Sequence, residues 1–296
     1  MKLGMTTAND AAPEGVVALP GCSLPKAARI VEVTGDLPPM PHIAAQVIEK
    51  LADEDSTPKQ IHELLIRDQA LAARVLKVAN SPYYGASRSI STLRDAVMFM
   101  GFDSVRSLIM AAVLKSLFAS VGLAEKLLWE HAIGCGLAAR RIGDEVGFRG
   151  REEAYIAGLM HDVGKAVLFL KAPAVMREIM EEVYNDRVYF FDVEQIRLGF
   201  NHADVGGIVA DKWRFSKDIE EAIANHHQPD STAKLPQIVS LANSMCHKLS
   251  VGPTRTPDLD LNEMKSAKML GLRPAAIENI LSAVKKALEA ENTGSL

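Results

Sequence analysis

The stretch Ala157-Gly158-Leu159-Met160-His161-Asp162-Val163-Gly164-Lys165 is the most informative in the chain, because it places a His-Asp pair directly after an apolar run. A carboxylate on a buried segment destabilises the folded state unless a counter-charge pairs with it. A divalent metal ion is one such counter-charge. Gly164 allows another backbone or a ligand to approach closely, and Lys165 would place a cationic group beside an anionic substrate.

Five histidines fall between residues 131 and 227, on segments with the helical period: His131, His161, His202, His226 and His227. Each lies on a different predicted helix, except the adjacent pair. Neutral imidazole binds transition metals, and a carboxylate can bridge two of them. Because packed helices can bring distant ligands to one point in a bundle core, the pattern predicts a metal centre for one or two divalent ions (Fe, Mn, Zn or Mg).

Apolar residues recur at helical spacing along most of the chain. Thr57-Pro58 is typical of a helix start, with Thr57 as the N-cap and Pro58 as the first helical residue. No stretch shows the alternation of a β-strand. We therefore predict an all-α fold, with an N-terminal helical bundle packed on a second helical unit. The predicted helices with approximate bounds are 69–79, 105–120, 124–147, 152–170, 173–185, 190–200, 202–213, 216–227, 234–250 and 274–291.

The sequence divides into four predicted parts. Residues 1–25 show no sustained period and are predicted to be a mobile tail. Residues 26–120 form the N-terminal helical subdomain, and residues 121–250 form the helical subdomain that carries the five histidines. Residues 251–296 are predicted to be a linker followed by a last amphipathic helix.

Composition places the chain among globular proteins, with 296 residues, 48% hydrophobic and 24% charged. The formal net charge of -4 argues against non-specific nucleic-acid binding, which needs a dominant basic surface. It does not argue against a small anionic ligand held in a local cationic pocket. The most apolar stretch, Leu108 to Leu114, is too short to span a membrane.

The three cysteines, Cys22, Cys135 and Cys246, are far apart in sequence and form no CxxC pair. This spacing argues against a disulfide framework and favours a reducing compartment. The N-terminus lacks the apolar core of a signal peptide. We expect a soluble cytoplasmic protein with no membrane partner.

The order His131, His161-Asp162, His202, His226-His227 resembles the HD superfamily of metal-dependent phosphohydrolases. Other segments resemble the HDOD family, which is related to HD hydrolases in fold and is generally regarded as a signalling output module. Together these segments cover roughly residues 30 to 250: LPPMP at 37–41, RDQALAARVLKVANSPYYG at 67–85, ISTLRDAVMFMGFDSVRSLIM at 90–110, NHADVGGIVADKW at 201–213 and AIANHH at 222–227.

The resemblance implies a ligand set. His131, His161 and Asp162 would hold one metal ion, with Asp162 bridging, and His202, His226 and His227 would supply the second site. Asn243 stands where the HD pattern usually has an Asp, and its neutral carbonyl oxygen should bind metal more weakly. The DGxGYP run of the related cyclic-dinucleotide phosphodiesterases is absent after His227, which weakens a cyclic di-GMP assignment.

Simpler interpretations stay open. His161-Asp162 is also compatible with a structural pair in a metal-free relic of the fold, and His131 with a core histidine bonded to a backbone carbonyl. Cys135 is interpreted as a small buried hydrophobe. We predict that the remaining histidines, His42, His62 and His247, lie at the surface or at loop edges. The basic cluster is predicted to be a solvated helix face: Arg140, Arg141, Arg149 and Arg151.

Two functions follow from the resemblance. The first is a bacterial regulatory protein with a largely preserved metal centre, acting through signalling proteins or a small phosphorylated or nucleotide ligand. The alternative is a metal-dependent phosphohydrolase in which a metal-bound hydroxide attacks phosphorus. In that case Asp162 and Lys165 are the catalytic residues, with Lys165 steadying the phosphoryl oxygens.

Overall fold

The computed structural model describes residues 26–81, 84–86, 89–118, 124–228 and 232–292. These residues form α-helices and no strand, which confirms the all-α prediction. The helices are α1 (Lys26–Thr34), α2 (His42–Leu51), α3 (Pro58–Leu65), α4 (Gln69–Ala79), α5 (Leu93–Met100), α6 (Phe102–Phe118), α7 (Ala124–Glu145), α8 (Arg151–Met160), α9 (Val163–Lys171), α10 (Pro173–Asp186), α11 (Phe190–Leu198), α12 (His202–Lys212), α13 (Lys217–Asn225), α14 (Lys234–Lys248), α15 (Lys265–Met269) and α16 (Pro274–Asn292).

Local sequence signals account for several helix ends. Thr57 and Gln60 form a reciprocal capping box at the start of α3, with Pro58 in the first helical position. The Thr92 side chain accepts a hydrogen bond from the Asp95 N–H and starts α5. The Asp68 carboxylate accepts hydrogen bonds from two N–H groups at the start of α4. Short polar side chains thus satisfy donors that a helix cannot pair internally.

The helices around the histidines pack as a bundle. α7 lies against α8, α14 and α16, while α12 packs on α9 and α13. From the N-terminal half, α6 contacts α8 and α9, and α1 contacts α9. The helical core is continuous across both predicted subdomains. The boundary near residue 121 lies within 119–123, outside the described residues, and stays a prediction.

Most predicted helices agree with the structure within a few residues, but the single helix over 152–170 is wrong. The chain forms α8 and α9 instead, and His161 and Asp162 stand at the break between them. The periodicity missed this break because both helices are apolar over almost their whole length. α1 was also not predicted. The predicted tail, 1–25, lies outside the described residues.

Among the described residues, no single helix has both the length and the apolar character to cross a membrane. α5 and α6 meet the requirement only as a pair, and they are bent by 111° relative to each other.

Two glycines let neighbouring helices approach at backbone distance. A Cβ at Gly158 would lie 2.5 Å from the Cys135 carbonyl oxygen of α7. A Cβ at Gly164 would lie 1.9 Å from the His202 carbonyl oxygen of α12. These contacts are backbone contacts and cannot be relieved by a rotamer change. The close packing of α8 on α7 and of α9 on α12 therefore depends on the absence of a Cβ atom at these two glycines.

We predict that Gly164→Ala lowers the free energy of unfolding by about 3 kcal/mol or more, because the added methyl overlaps the backbone of α12. Chemical denaturation measures the change. Gly143→Ala is the matched control, since its Cβ would find its nearest neighbour at 3.5 Å. The control should be neutral or more stable by up to about 1 kcal/mol through helix propensity. Equal stability of the two variants would contradict the packing argument.

Candidate metal centre

Asp162 is buried where the helix ends meet, and its two carboxylate oxygens face different histidines. Oδ2 lies 3.5 Å from His131 Nε2 and 3.4 Å from His161 Nε2. Oδ1 lies 3.1 Å from His202 Nε2 and 3.9 Å from His226 Nε2. A carboxylate that divides its oxygens between two groups of nitrogen donors has the arrangement needed to bridge two cations.

Helix ends supply most of these side chains. His161 directly follows α8, Asp162 directly precedes α9, and His226 directly follows α13. His202 is the first residue of α12, which begins at the N-cap Asn201. The break between α8 and α9 is what lets two adjacent residues turn their side chains toward the same point.

The outer nitrogens of four histidines are held by acceptors. Since a carbonyl oxygen can only accept, the Nδ1 atoms bonded to carbonyls carry the proton, and the Nε2 lone pairs face Asp162. The Nδ1 donors and their acceptors are His161 to Gly158 O at 2.7 Å, His226 to Ile223 O at 2.8 Å, His131 to Val251 O at 3.0 Å, and His202 to the Glu194 carboxylate.

The Nε2 atom of His202 lies close to the Nε2 atoms of two other histidines. It is 2.9 Å from His227 Nε2 and 3.3 Å from His226 Nε2. Imidazole lone pairs at such distances repel unless a proton or a metal ion stands between them. Burial by itself lowers the pKa of His202, but the carboxylates of Glu194 and Asp162 together outweigh burial and raise it. The two carboxylates therefore favour a proton on His202, and a proton on its Nε2 relieves the repulsion between the lone pairs.

The other imidazoles are held neutral. Burial lowers the pKa of His161, His227 and His247 well below its ordinary value. Burial, followed by the charge of His202, lowers the pKa of His226 to about 3. Neutral imidazole is the form that binds metal.

Asp162 keeps its charge despite being buried. Burial alone would raise its pKa, but the ammonium group of Lys165 and the contact with His202 lower the pKa well below the usual range. Lys165 Nζ donates to Asp162 Oδ2 at 2.7 Å and lies 4.6 Å above the ring of Phe190. We predicted Lys165 beside a substrate. In the structure it is a buried counter-ion of Asp162.

Unpaired polar atoms show that the site suits a metal ion. His161 Nε2 and Asn243 Oδ1 are buried and make no hydrogen bond, and Asn243 faces His131. Cys135 Sγ lies 3.6 Å from His131 Nε2, and these two side chains and Cys246 have potential ligand atoms within 4.8 Å of one another. Cys135 is buried as predicted, but it faces the polar site. The donor set of imidazole, carboxylate, amide and thiol groups fits a divalent transition metal.

The structure brings the predicted ligands together, in two groups that share the region of Asp162. One group is His131, His161 and Asp162, and the other is His202, His226 and His227. His131 bonds the Val251 carbonyl through Nδ1, as the core-histidine interpretation expects, while its Nε2 faces the centre, so its role as a metal ligand stays a prediction.

The predictions from the sequence place one residue of the centre wrongly and omit another. His247, predicted at the surface, is buried and stacks on His131 with ring centroids 5.3 Å apart. Glu194 was not singled out, although it is fully buried and accepts from both the backbone N–H and the Nδ1 of His202. A signal was present: Glu194 interrupts the apolar stripe of Phe190, Val193 and Leu198 on α11.

The solvated-face prediction is wrong for Arg140. Its side chain is mostly buried, pairs with Glu152 at 3.5 Å and lies over the ring of Tyr155 at 4.5 Å. The reason is the packing of α7 against α8, which covers this side of α7. Of the other two predicted surface histidines, His42 is exposed and His62 is half-buried.

Comparisons with known proteins agree with this architecture. The model of the HDOD domain matches residues 37–229. A structure of an HDOD domain protein with unknown function from Geobacter sulfurreducens is 28% identical, with a TM-score of 0.77 over 90% of this chain and 95% of that chain. A Shewanella amazonensis SB2B structure named "Putative phosphohydrolase" is 22% identical, with a TM-score of 0.66 over 88% and 94% of the chains, a likeness that shows the fold.

A curated relative extends beyond this chain. An uncharacterized protein of Treponema pallidum (strain Nichols) is 23% identical over 222 residues, or 73% of this chain. The matched part spans only 43% of that relative's length.

We predict that Glu194→Gln lowers the affinity for Mn²⁺ or Zn²⁺ roughly 10- to 100-fold, because the neutral amide holds the His202 ring less firmly and makes its Nε2 a weaker electron donor to a metal ion. Competition with a chromogenic chelator measures the affinity. Glu178→Gln on α10 is the control, since its carboxylate is largely exposed and bonds Arg197 away from the centre. An unchanged affinity in Glu194→Gln would show that this carboxylate does not support metal binding.

We predict that the metal-free protein loses stability as the pH falls from 7 to 5. The buried His161, His226 and His247 have folded-state pKa values below their ordinary value, so below about pH 6.5 only the unfolded state takes up these protons. Each contributes a loss of up to about 2 kcal/mol at pH 5, and His202 opposes it. Denaturation with chelator present measures the slope, which His247→Gln should flatten. A stability that is flat over this range would contradict the prediction.

Proposed function

Because the chain belongs to the HDOD family, we propose that it is a regulatory protein of bacterial signal transduction that acts by binding a partner or a ligand, with a metal centre at its core. The observation that carries the proposal is the enclosure of a complete donor set. Asp162 is 2% exposed, and His161 and His202 are 0% exposed. A centre so enclosed can hold an ion and stabilise the helix ends around it without admitting a large substrate.

The residues fit one or two divalent ions. His131, His161 and Asp162 would hold one ion, and His202, His226 and His227 would hold the other together with Asp162 Oδ1. A bound ion would balance the charge of Asp162 and, where a phosphoryl oxygen could reach it, would polarise that oxygen. The protein's own residues orient the imidazoles through the Nδ1 bonds and keep them neutral.

Asn243 supports a regulatory role. It offers a neutral oxygen on α14 next to His131, at the position where an HD hydrolase would add a carboxylate. The missing charge lowers the affinity for a cation held by His131, His161 and Asp162. Lys165 adds to this effect, because its ammonium group already neutralises Asp162 Oδ2 at 2.7 Å.

A second candidate function is a metal-dependent phosphohydrolase. One observation favours it: His227, alone among the six predicted histidine and aspartate ligands, is half-buried rather than buried. Its ring lies 4.8 Å from that of Phe191, so an approach to the centre would pass along this side. In this role Lys165 would have to break its ion pair with Asp162 and contact a phosphoryl oxygen instead.

Metal analysis tests the proposal. We predict that protein purified without chelator contains a divalent transition metal near one ion per chain, and that His226→Ala loses most of it, because His226 belongs to the site that Lys165 and Asn243 do not weaken. His62→Ala on α3 is the matched control and should keep the wild-type content, because His62 lies outside the centre. Circular dichroism verifies that both variants are folded. A folded wild-type protein that contains no metal and takes up none would reject the metal centre.

Activity assays separate the two functions. The metal-loaded protein should not turn over cyclic dinucleotides, nucleotides or simple phosphodiesters with Mn²⁺ or Fe²⁺. Turnover that is lost in His161→Ala and kept in His62→Ala would reject the regulatory proposal and establish the phosphohydrolase.

A further inference from the structure

A cavity of about 790 Å³ lies between α4, α6 and α7, with part of its wall formed by α8 and by residues 250–251. Pockets that bind small molecules have about this volume. The described residues that line it include neither Asp162 nor any histidine. The cavity is therefore a separate feature from the metal centre.

The cavity wall is strongly cationic. Among its described lining residues, five carry positive charge and two carry negative charge: Arg74, Lys77, Lys115, Lys126 and Arg140 against Glu130 and Glu152. The two acidic residues pair with Lys126 at 3.7 Å and Arg140 at 3.5 Å. The excess of positive charge is local, because the whole chain has a net charge of -4. A concave wall of one sign concentrates ions of the opposite sign.

The same wall contains aromatic and aliphatic surface. Tyr84, Trp129 and Tyr155 line the cavity together with Leu108 and Ile133. Lys115 Nζ lies 5.1 Å from the centroid of the Trp129 ring, and Arg74 Cζ lies 5.7 Å from it. Cationic groups thus stand directly beside flat apolar surface. A ligand that satisfies both needs an anionic group attached to a planar ring.

We propose that this cavity, where Lys115 stands beside Trp129 and Lys77 lines the same wall, binds a small organic phosphate that carries a planar ring, of the size and chemistry of a nucleoside monophosphate. The phosphate contacts the lysines, and the ring lies against the aromatic and aliphatic wall. The volume of about 790 Å³ suits a small molecule, whereas a nucleic-acid strand needs an extended basic groove. The proposal does not depend on whether the metal centre is regulatory or catalytic.

One helix separates the two sites. α7 lines the cavity with Trp129, Ile133 and Leu137 and turns His131 toward Asp162. Val251 also lines the cavity, and its carbonyl accepts from His131 Nδ1. The cavity and the metal centre therefore lie on opposite sides of α7. Ligand binding in the cavity can still be measured without metal.

The experiment uses a dye pair and a single tryptophan. Trp129 and Trp213 are the two tryptophans of the chain, so Trp213→Phe leaves Trp129 as the reporter in the cavity wall. Anilinonaphthalene sulfonate is a planar aromatic anion, and N-phenyl-naphthylamine is its uncharged analogue. We expect energy transfer from Trp129 to the anionic dye, and we expect that dye to bind more tightly than the uncharged one.

A charge variant tests which residues bind the anion. In the Trp213→Phe background, Lys77→Ala with Lys115→Ala should weaken the anionic dye roughly tenfold and leave the uncharged dye almost unchanged. Lys59→Ala with Lys268→Ala removes the same charge from helices that do not line the cavity, and should bind as the parent does. Equal binding of both dyes, or equal affinity in both double variants, would overturn the proposal.

Competition then tests the ligand class. Adenosine, guanosine, cytidine and uridine monophosphates are titrated against the bound anionic dye, with each nucleoside and inorganic phosphate as comparisons. At least one nucleotide should displace the dye, and its nucleoside and inorganic phosphate should do so at least about tenfold less well. Failure of all four nucleotides at millimolar concentration would overturn the proposal, whatever the metal analysis shows.

Discussion

The constraint on which the rest of the structure depends is the charge of Asp162 inside a helical core. An unpaired carboxylate there would cost far more than a folded domain of this size can tolerate. Lys165 offsets part of that cost through a direct ion pair, and the imidazoles around both oxygens provide the remaining polar surroundings. A divalent ion would satisfy the same carboxylate and also the unpaired His161 Nε2. The site is therefore either stabilised by a cation or held together by protons and one lysine.

This constraint explains where the helices end. α8 stops at Met160 and α9 begins at Val163, so that His161 and Asp162 leave the helical ladder and turn inward. Gly158 and Gly164 have no Cβ, which lets α7 and α12 approach this break at backbone distance. Helix packing and site geometry are thus set by the same few residues. Changing a glycine in this region alters the position of the imidazoles as well as the stability of the bundle.

Most of the helical architecture could be predicted from local rules, and the failures have a common physical cause. The Thr57 capping box and the bounds of α4 follow from side chains that act within one turn. The break between α8 and α9 could not be predicted, because both helices are apolar over almost their whole length and Gly164 meets α12 only in the tertiary structure. The solvated-face prediction for Arg140 is wrong for a similar reason. Residues of α8 cover its side chain, and no local pattern in α7 indicates this contact.

At the centre, the sequence by itself determined the kind of chemistry. Histidines at 131, 161, 202, 226 and 227 together with Asp162 indicate nitrogen and carboxylate donors for a transition metal, whatever their arrangement. Only the tertiary structure decided how these donors are shared, with His131 and His161 on one oxygen of Asp162 and His202 and His226 on the other. It also added Glu194 and His247 and turned Lys165 toward Asp162. The reason is that donor identity is a property of single residues, whereas donor direction depends on helix ends brought together by long-range packing.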